Sequence, residues 1–294
     1  LPLARRAKAR RLPVLYYIAP QTWAWGQFRV RKIRNRVDRL AVILPFEEQY
    51  FRSRGIAARF VGHPLIDALA SCQPDEAMIR RLRSRPRPVI TLLPGSRRHV
   101  VEEVLPGQLE VARQISRHFG QVTILISAAT ERLRPVIARR LSRAGMTAQV
   151  HSRRNPELIC AADLVLVASG TATLEVAYYR RPMIVMYNAS RIGYHLLGRW
   201  LIRPGPLSLV NVLAGRCIVP EFIPYYRSTR VIAQRAIELL TTRTQQERMS
   251  QALAEVVASV SRPGVADRVA EELAALVRSR PARPLPAGSI HRIW

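Results

Sequence analysis

Short apolar runs alternate with longer stretches of helical periodicity along most of this chain of 294 residues. "PVLYYIAP" (Pro13–Pro20) is an apolar run closed by proline, the pattern of a buried strand. From Gln27 to Val37, Phe28, Ile33 and Val37 recur at helical spacing among arginines. "RLAVILPF" (Arg39–Phe46) predicts a second strand, "EEQYFRSRG" a short helix stopped by Gly55, and "ARFVGHPLID" (Ala58–Asp67) a third strand leading into a turn. Residues 71–88, "SCQPDEAMIRRLRSRPRP", read as a helix and a Pro/Arg loop, the best-marked domain boundary. From residue 88 the pattern becomes βαβαβαβαβ, with strands in "PVITLLPGSR", "QVTILISAA", "AQVHS", "LVLVASG" and "MIVMYNA". That order predicts an α/β fold with a doubly wound parallel sheet. The rest is mostly helical and ends in the polar, Pro-rich "RSRPARPLPAGSI", a frayed tail. The expected division is a partial N-terminal domain over 1–70, a second domain with C-terminal helices over 71–280, and a tail over 281–294.

Composition adjusts this picture. The chain is 48% hydrophobic, enough for proper cores in one large or two ordinary domains. Its formal net charge is +27, and Lys8 and Lys32 are the only lysines, so the positive charge is almost all arginine. Such a balance attracts polyanions: nucleic acid, anionic lipid headgroups or phosphorylated substrates. The arginines are spread along the chain rather than blocked, which also fits solvated helix faces and a biased genome composition. No nucleic-acid recognition module is visible, so that reading rests on charge alone. Cys72, Cys160 and Cys217 are far apart, without CxxC or Cys/His metal spacing, which fits a reducing cytoplasmic compartment. No apolar run reaches the roughly 18–20 residues of a spanning helix.

Ligands of a doubly wound sheet bind beyond the C-terminal ends of its strands, and two predicted strand ends carry small polar turns that open helices. The first is Pro94-Gly95-Ser96-Arg97: Gly95 permits tight backbone geometry, Ser96 can cap the helix and Arg97 can grip a phosphate. Glu102 and Glu103 follow within the next turns. The second, with two strands between, is Ser169-Gly170-Thr171, with Glu175 one turn into the helix. A carboxylate there repels phosphate but accepts both hydroxyls of a ribose. A turn for a diphosphate plus a carboxylate for a sugar is how nucleotide-sugar enzymes read a nucleotide. Asn211, a lone amide in the apolar "LSLVNVLAGRCIVPE", either forms a turn or makes a polar contact to a donor or acceptor.

Taken together, "YYIAPQTWAWGQFRVRKI", "LPFE", "FVGHPLID", "LLPGSR", "ADLVLVASGTATLE" and "LVNVLAGR" resemble the lipid-A-disaccharide synthase family, inverting glycosyltransferases of the GT-B type. The segments stand in the family's order and spacing from about residue 14 to 221. The resemblance implies two Rossmann-like domains facing a cleft, the N-terminal one incomplete here, with donor UDP mainly on the C-terminal one. It implies transfer of 2,3-diacylglucosamine from its UDP donor to 2,3-diacylglucosamine 1-phosphate, giving lipid A disaccharide 1-phosphate and UDP. Neither metal nor cofactor is expected. Arg97, Glu175 and Asn211 match family positions tied to donor binding or activity, with Gly95, Ser96, Ser169, Gly170 and Thr171 in the turns around them.

The family's Gly-Glu-x-Ser-Gly-Asp turn and its aspartate base are not among these residues; both are expected upstream of Leu1, so no catalytic base is assigned. Asp38, Glu47, Asp67 and His63 are substitutes on paper. Trp23, Trp25, Glu47 and His63 are the cleft or acceptor candidates, His63 having a structural reading beside Gly62. Acylated substrates imply a peripheral enzyme on an anionic membrane, on the cytoplasmic face of the inner membrane, docking through Arg29–Arg39 or Arg191–Gly205. The sequence leaves oligomeric state open. The alternatives are another UDP-sugar GT-B enzyme (an epimerase or a cell-wall glycosyltransferase) or a non-catalytic remnant binding nucleotide or membrane.

Overall fold

The computed structural model describes residues 1–24, 26–188 and 205–279. The chain divides into two compact units, one of Leu1–Gly62 joined by the segment from Gly264, the other of His63–Pro263. The first opens with α1 (Pro2–Ala9), β1 (Leu15–Tyr17), α2 (Arg29–Arg34), β2 (Arg39–Val42), α3 (Pro45–Arg52) and β3 (Ala58–Phe60). The second holds α4 (Pro64–Ala70), α5 (Glu76–Arg83), β4 (Val89–Leu93), α6 (Arg98–Phe119), β5 (Thr123–Ala128), α7 (Arg134–Ala144), β6 (Gln149–Ser152), α8 (Asn155–Ala161), β7 (Leu164–Ala168) and α9 (Ala172–Tyr178). It continues through β8 (Met183–Met186), α10 (Leu209–Ala214), β9 (Glu221–Phe222), α11 (Thr229–Thr241) and α12 (Arg243–Val260), and α13 (Val265–Arg278) belongs again to the first unit.

In the first unit β1, β2 and β3 form a parallel sheet in that order. Ile33, Val37, Leu40, Val42, Phe51 and Phe60 make its core. The second predicted strand stops early because Pro45 supplies the fixed φ of a first helical position, so "PFEE" opens α3 instead of extending β2. The helix α13 is tied to this sheet by Glu272, whose carboxylate accepts from Arg39 Nη1 on β2 at 2.9 Å and from Arg59 Nη1 on β3 at 2.5 Å. The sequence grouped this helix with the second domain and put the boundary at 71–88. The structure divides the chain at Gly62 and at Pro263 instead, because the partners of Glu272 lie more than 200 residues away in sequence.

The second unit is the doubly wound sheet that the pattern predicts. Its strands are parallel in the order β6-β5-β4-β7-β8-β9. Numbered within the unit this is 3-2-1-4-5-6, the Rossmann arrangement, whose direction reverses between its first and fourth strands. Every residue of β4, β7 and β8 is buried, as expected of central parallel strands covered on both faces. Along α6, Val101, Val104, Leu105, Leu109, Ala112 and Ile115 recur at three- and four-residue spacing and are buried in the core.

Candidate functional site

The two small-residue turns leave β4 and β7, and these strands are hydrogen-bonded neighbours with Leu93 opposite Val167. The sequence separates the turns by two strands; the sheet order makes them adjacent, at the switch point where such sheets open a crevice. Gly95 has φ +112°, and a Cβ there would lie 2.7 Å from Val100 Cγ1 and 3.9 Å from Ala168 Cβ. Only glycine lets α6 begin this close to the turn. Gly170 has φ +146° with open space around it, so its lack of a side chain leaves the second turn bare.

Among the described residues the polar side chains of these turns are unspent. Ser96, Arg97 and Thr171 are exposed and Ser169 is half-buried. None of their side chains makes a hydrogen bond or ion pair among the described residues. The N-terminus of the 22-residue α6 adds backbone N–H groups and the positive end of a helix dipole beside Arg97. Beneath the turns, buried Gln108 donates from Nε2 to Leu166 O at 2.9 Å, pinning α6 to β7 where the strands part. Glu102 pairs with Arg98 on the same helix at 3.0 Å, and Glu103 accepts at 3.0 Å from Oη of Tyr187, the residue that follows β8.

Glu175, one turn into α9, is half-buried, and burial raises its carboxyl above the ordinary glutamate value. Its Oε2 accepts from Asn155 Nδ2 at 2.9 Å. Asn155, the first residue of α8, accepts through Oδ1 from Ser127 Oγ at the end of β5. The sequence reading passes over Asn155 and Ser127. The available signal is an Asn-Pro pair opening a helix directly after a strand.

Asn211 corrects the sequence reading. Its side chain is fully buried. Nδ2 donates to Val219 O at 2.9 Å and to Glu221 Oε2 at 2.8 Å. Oδ1 accepts from the N–H groups of Ile218 at 2.8 Å and Val219 at 3.0 Å. Two donor hydrogens and two acceptor lone pairs exhaust an amide. Asn211 therefore pins the loop between α10 and β9 and has nothing left for a direct contact to a ligand.

In the first unit, Glu47 is 1% exposed rather than lining a surface. Its Oε1 accepts from Trp23 Nε1 at 2.9 Å, and its Oε2 from Leu44 N at 3.2 Å. Burial pushes its pKa up to about 7, with the Trp23 and Leu44 hydrogen bonds opposing the rise. That value suits a general base, but the carboxyl is out of reach and both oxygens are engaged. Its work is to hold Trp23, whose half-buried ring also meets Phe46 edge-on at 5.0 Å. His63 is likewise buried; its Nδ1 caps α4 by accepting from Leu65 N at 3.2 Å, and burial lowers its pKa. Asp38 is engaged by Lys8 Nζ at 2.6 Å and Val14 N at 2.8 Å. Trp25 and most of Arg191–Gly205 lie outside the described residues.

The basic stretch forms α2, with Ile33 buried and Arg31, Lys32 and Arg34 exposed. Phe28, at its start, is 66% exposed. Beside it Arg31, Arg34 and Arg54 line a 510 Å³ groove. Among the described residues no cluster of His, Cys, Asp or Glu could hold a metal ion, and no helix is long and apolar enough to cross a membrane.

A family model described as LpxB, lipid-A-disaccharide synthetase, matches residues 1–275. The chain belongs to the lipid-A-disaccharide synthase family. A lipid-A-disaccharide synthase of Myxococcus xanthus is 37% identical over 280 residues, covering 94% of this chain and 72% of that protein. Another, of Syntrophus aciditrophicus, is 35% identical over 289 residues, covering 95% and 73%. Among solved structures, a putative UDP-N-acetylglucosamine 2-epimerase from Listeria monocytogenes aligns with TM-score 0.61 at 12% identity, over 95% of this chain and 72% of that one. An S. aureus MnaA–UDP co-structure aligns with TM-score 0.63 at 11% identity, over 97% and 75%. At such identities these structures speak for the fold alone, the Rossmann-like architecture of the GT-B type. Membership of the lipid-A-disaccharide synthase family disfavours the epimerase alternative.

Proposed function

We propose that this chain is a glycosyltransferase of lipid A synthesis, transferring 2,3-diacylglucosamine from its UDP conjugate to 2,3-diacylglucosamine 1-phosphate. The products are lipid A disaccharide 1-phosphate and UDP. The observation that carries the site is the pair of small-residue turns on adjacent strands β4 and β7, with polar side chains unspent among the described residues, at the switch point of the sheet. Gly95-Ser96-Arg97 and Ser169-Gly170-Thr171 receive the diphosphate, and Arg97 offsets the charge that builds on departing UDP. Glu175 accepts from the ribose hydroxyls. Asn211 acts indirectly, through the loop it pins. Trp23, held by Glu47, offers an aromatic face on the acceptor side.

In the inverting reaction the acceptor hydroxyl attacks the anomeric carbon opposite UDP. The bond from that carbon to the diphosphate oxygen breaks, and UDP leaves with the electron pair. The hydroxyl proton passes to a general base; none of the residues here is given that role. The enzyme works peripherally at the cytoplasmic face of the inner membrane, where exposed Phe28 and the arginines of α2 suit an anionic surface. The test is direct: purified protein with both acylated substrates should release UDP and form the disaccharide. A preparation that binds UDP neither alone nor with acceptor, and makes no disaccharide, refutes the proposal.

A further inference from the structure

Among the described residues Glu175 is held on one side only. Oε2 takes the Asn155 Nδ2–H at 2.9 Å, while Oε1 receives no hydrogen bond among the described residues. Asn155 cannot easily turn away. Its other end accepts from Ser127 Oγ, Ser127 is buried, and the backbone is committed to the first turn of α8 with Pro156 next. The amide is thus clamped between β5 and α9. An N–H at Oε2 also favours the ionised carboxylate, against the burial that disfavours it. Ribose hydroxyls donate best to an ionised acceptor.

We propose that Asn155 is a specificity-determining positioning residue of the nucleotide site. It fixes one oxygen of Glu175, so that the other is presented to the ribose hydroxyls of a uridine diphosphate, and thereby sets the preference for a ribose over a sugar lacking those hydroxyls. This rests on the ribose role of Glu175 proposed above. Asn155 itself touches no substrate; it acts through the carboxylate, and Ser127 acts through Asn155.

The test is calorimetric affinity for UDP and for 2′,3′-dideoxy-UDP, in the wild type, Asn155→Ala, Asn155→Asp, Glu175→Ala and the double alanine variant. Wild type should prefer UDP. Loss of one charge-assisted hydrogen bond should cut that preference about tenfold in Asn155→Ala, with dideoxy-UDP affinity nearly unchanged. In the Glu175→Ala background, Asn155→Ala should have no further effect, because the residue through which it acts is gone. Retained dideoxy-UDP binding reports an intact fold. Should Asn155→Ala lose it, Asn155→Asp decides: it keeps an acceptor for Ser127 and replaces the donor to Glu175 with a second carboxylate, so the UDP preference should fall at least as far while dideoxy-UDP still binds. A wild-type preference in the Asn155 variants, with that preference lost in Glu175→Ala, overturns the role of Asn155 alone. If Glu175→Ala keeps the preference, the ribose reading itself falls and this proposal with it.

Discussion

Replacing Glu47 by glutamine should make the protein more stable at alkaline pH and leave it nearly unchanged at acid pH. The folded carboxyl titrates at about 7 against an ordinary value of 4.5, because it is buried. Between those values the folded state keeps a proton that the unfolded chain has released. Stability therefore falls as pH rises through this window, by about 1.4 kcal/mol per pH unit where the difference is complete. Between pH 5 and pH 8 the wild type should lose roughly 2–3 kcal/mol from this group. Glutamine has no such slope. Its Oε1 still accepts from Trp23 Nε1, but its amide faces the Leu44 N–H donor, which costs about 1 kcal/mol at every pH. Wild type and Glu47→Gln should thus be close at pH 5, with the variant ahead by about 2 kcal/mol at pH 8. Urea unfolding followed by tryptophan fluorescence measures this, and differencing the two proteins cancels every other titrating group. Parallel pH–stability curves, or a wild type that gains on the variant as pH rises, would refute the reasoning.

Three further outcomes are expected. Arg97→Ala should weaken UDP binding about tenfold at low salt, with a smaller gap at high salt; an unchanged Kd by calorimetry removes Arg97 from the site. Asn211→Ala strands the buried N–H and C=O of Val219 and takes a partner from Ile218 N and Glu221, and should cost about 3 kcal/mol in thermal or urea unfolding; Asn211→Asp should fare no better because it cannot donate to Val219 O or Glu221. Glu272→Gln should destabilise by about 1–2 kcal/mol, the loss being modest because Arg39 and Arg59 stay partly in water. Arg59 and Arg39 hold the Glu272 carboxyl below its ordinary value of 4.5 against burial, so this wild-type advantage is present above 4.5 and vanishes as pH falls through the lower folded value; a difference that persists in strong acid contradicts it.

Much of the candidate site is legible in the sequence, because its parts are local. An apolar run such as "VITLL" followed by Pro-Gly-Ser-Arg specifies a buried strand and a tight turn wherever it sits, and "LVLVASGTATLE" does the same for β7 and α9. The alternation of these units, the family motifs and Glu175 at one turn's depth followed from sequence alone. What the sequence could not decide is whatever depends on residues far along the chain. The adjacency of β4 and β7 comes from the crossover that carries the chain past its own starting strand, so turns 75 residues apart meet at one edge. The return of α13 to the first unit depends on Glu272 reaching Arg39 and Arg59. Asn211 reads as a ligand contact until its four partners are counted, and Glu47 as a cleft residue until its burial is known. Asn155 has no signature of its own; only the sheet order brings it to Glu175. Sequence determines which groups are available and what local backbone carries them. Tertiary packing decides which of those groups are already spent on one another, and a polar group spent within the fold is no longer available to a ligand.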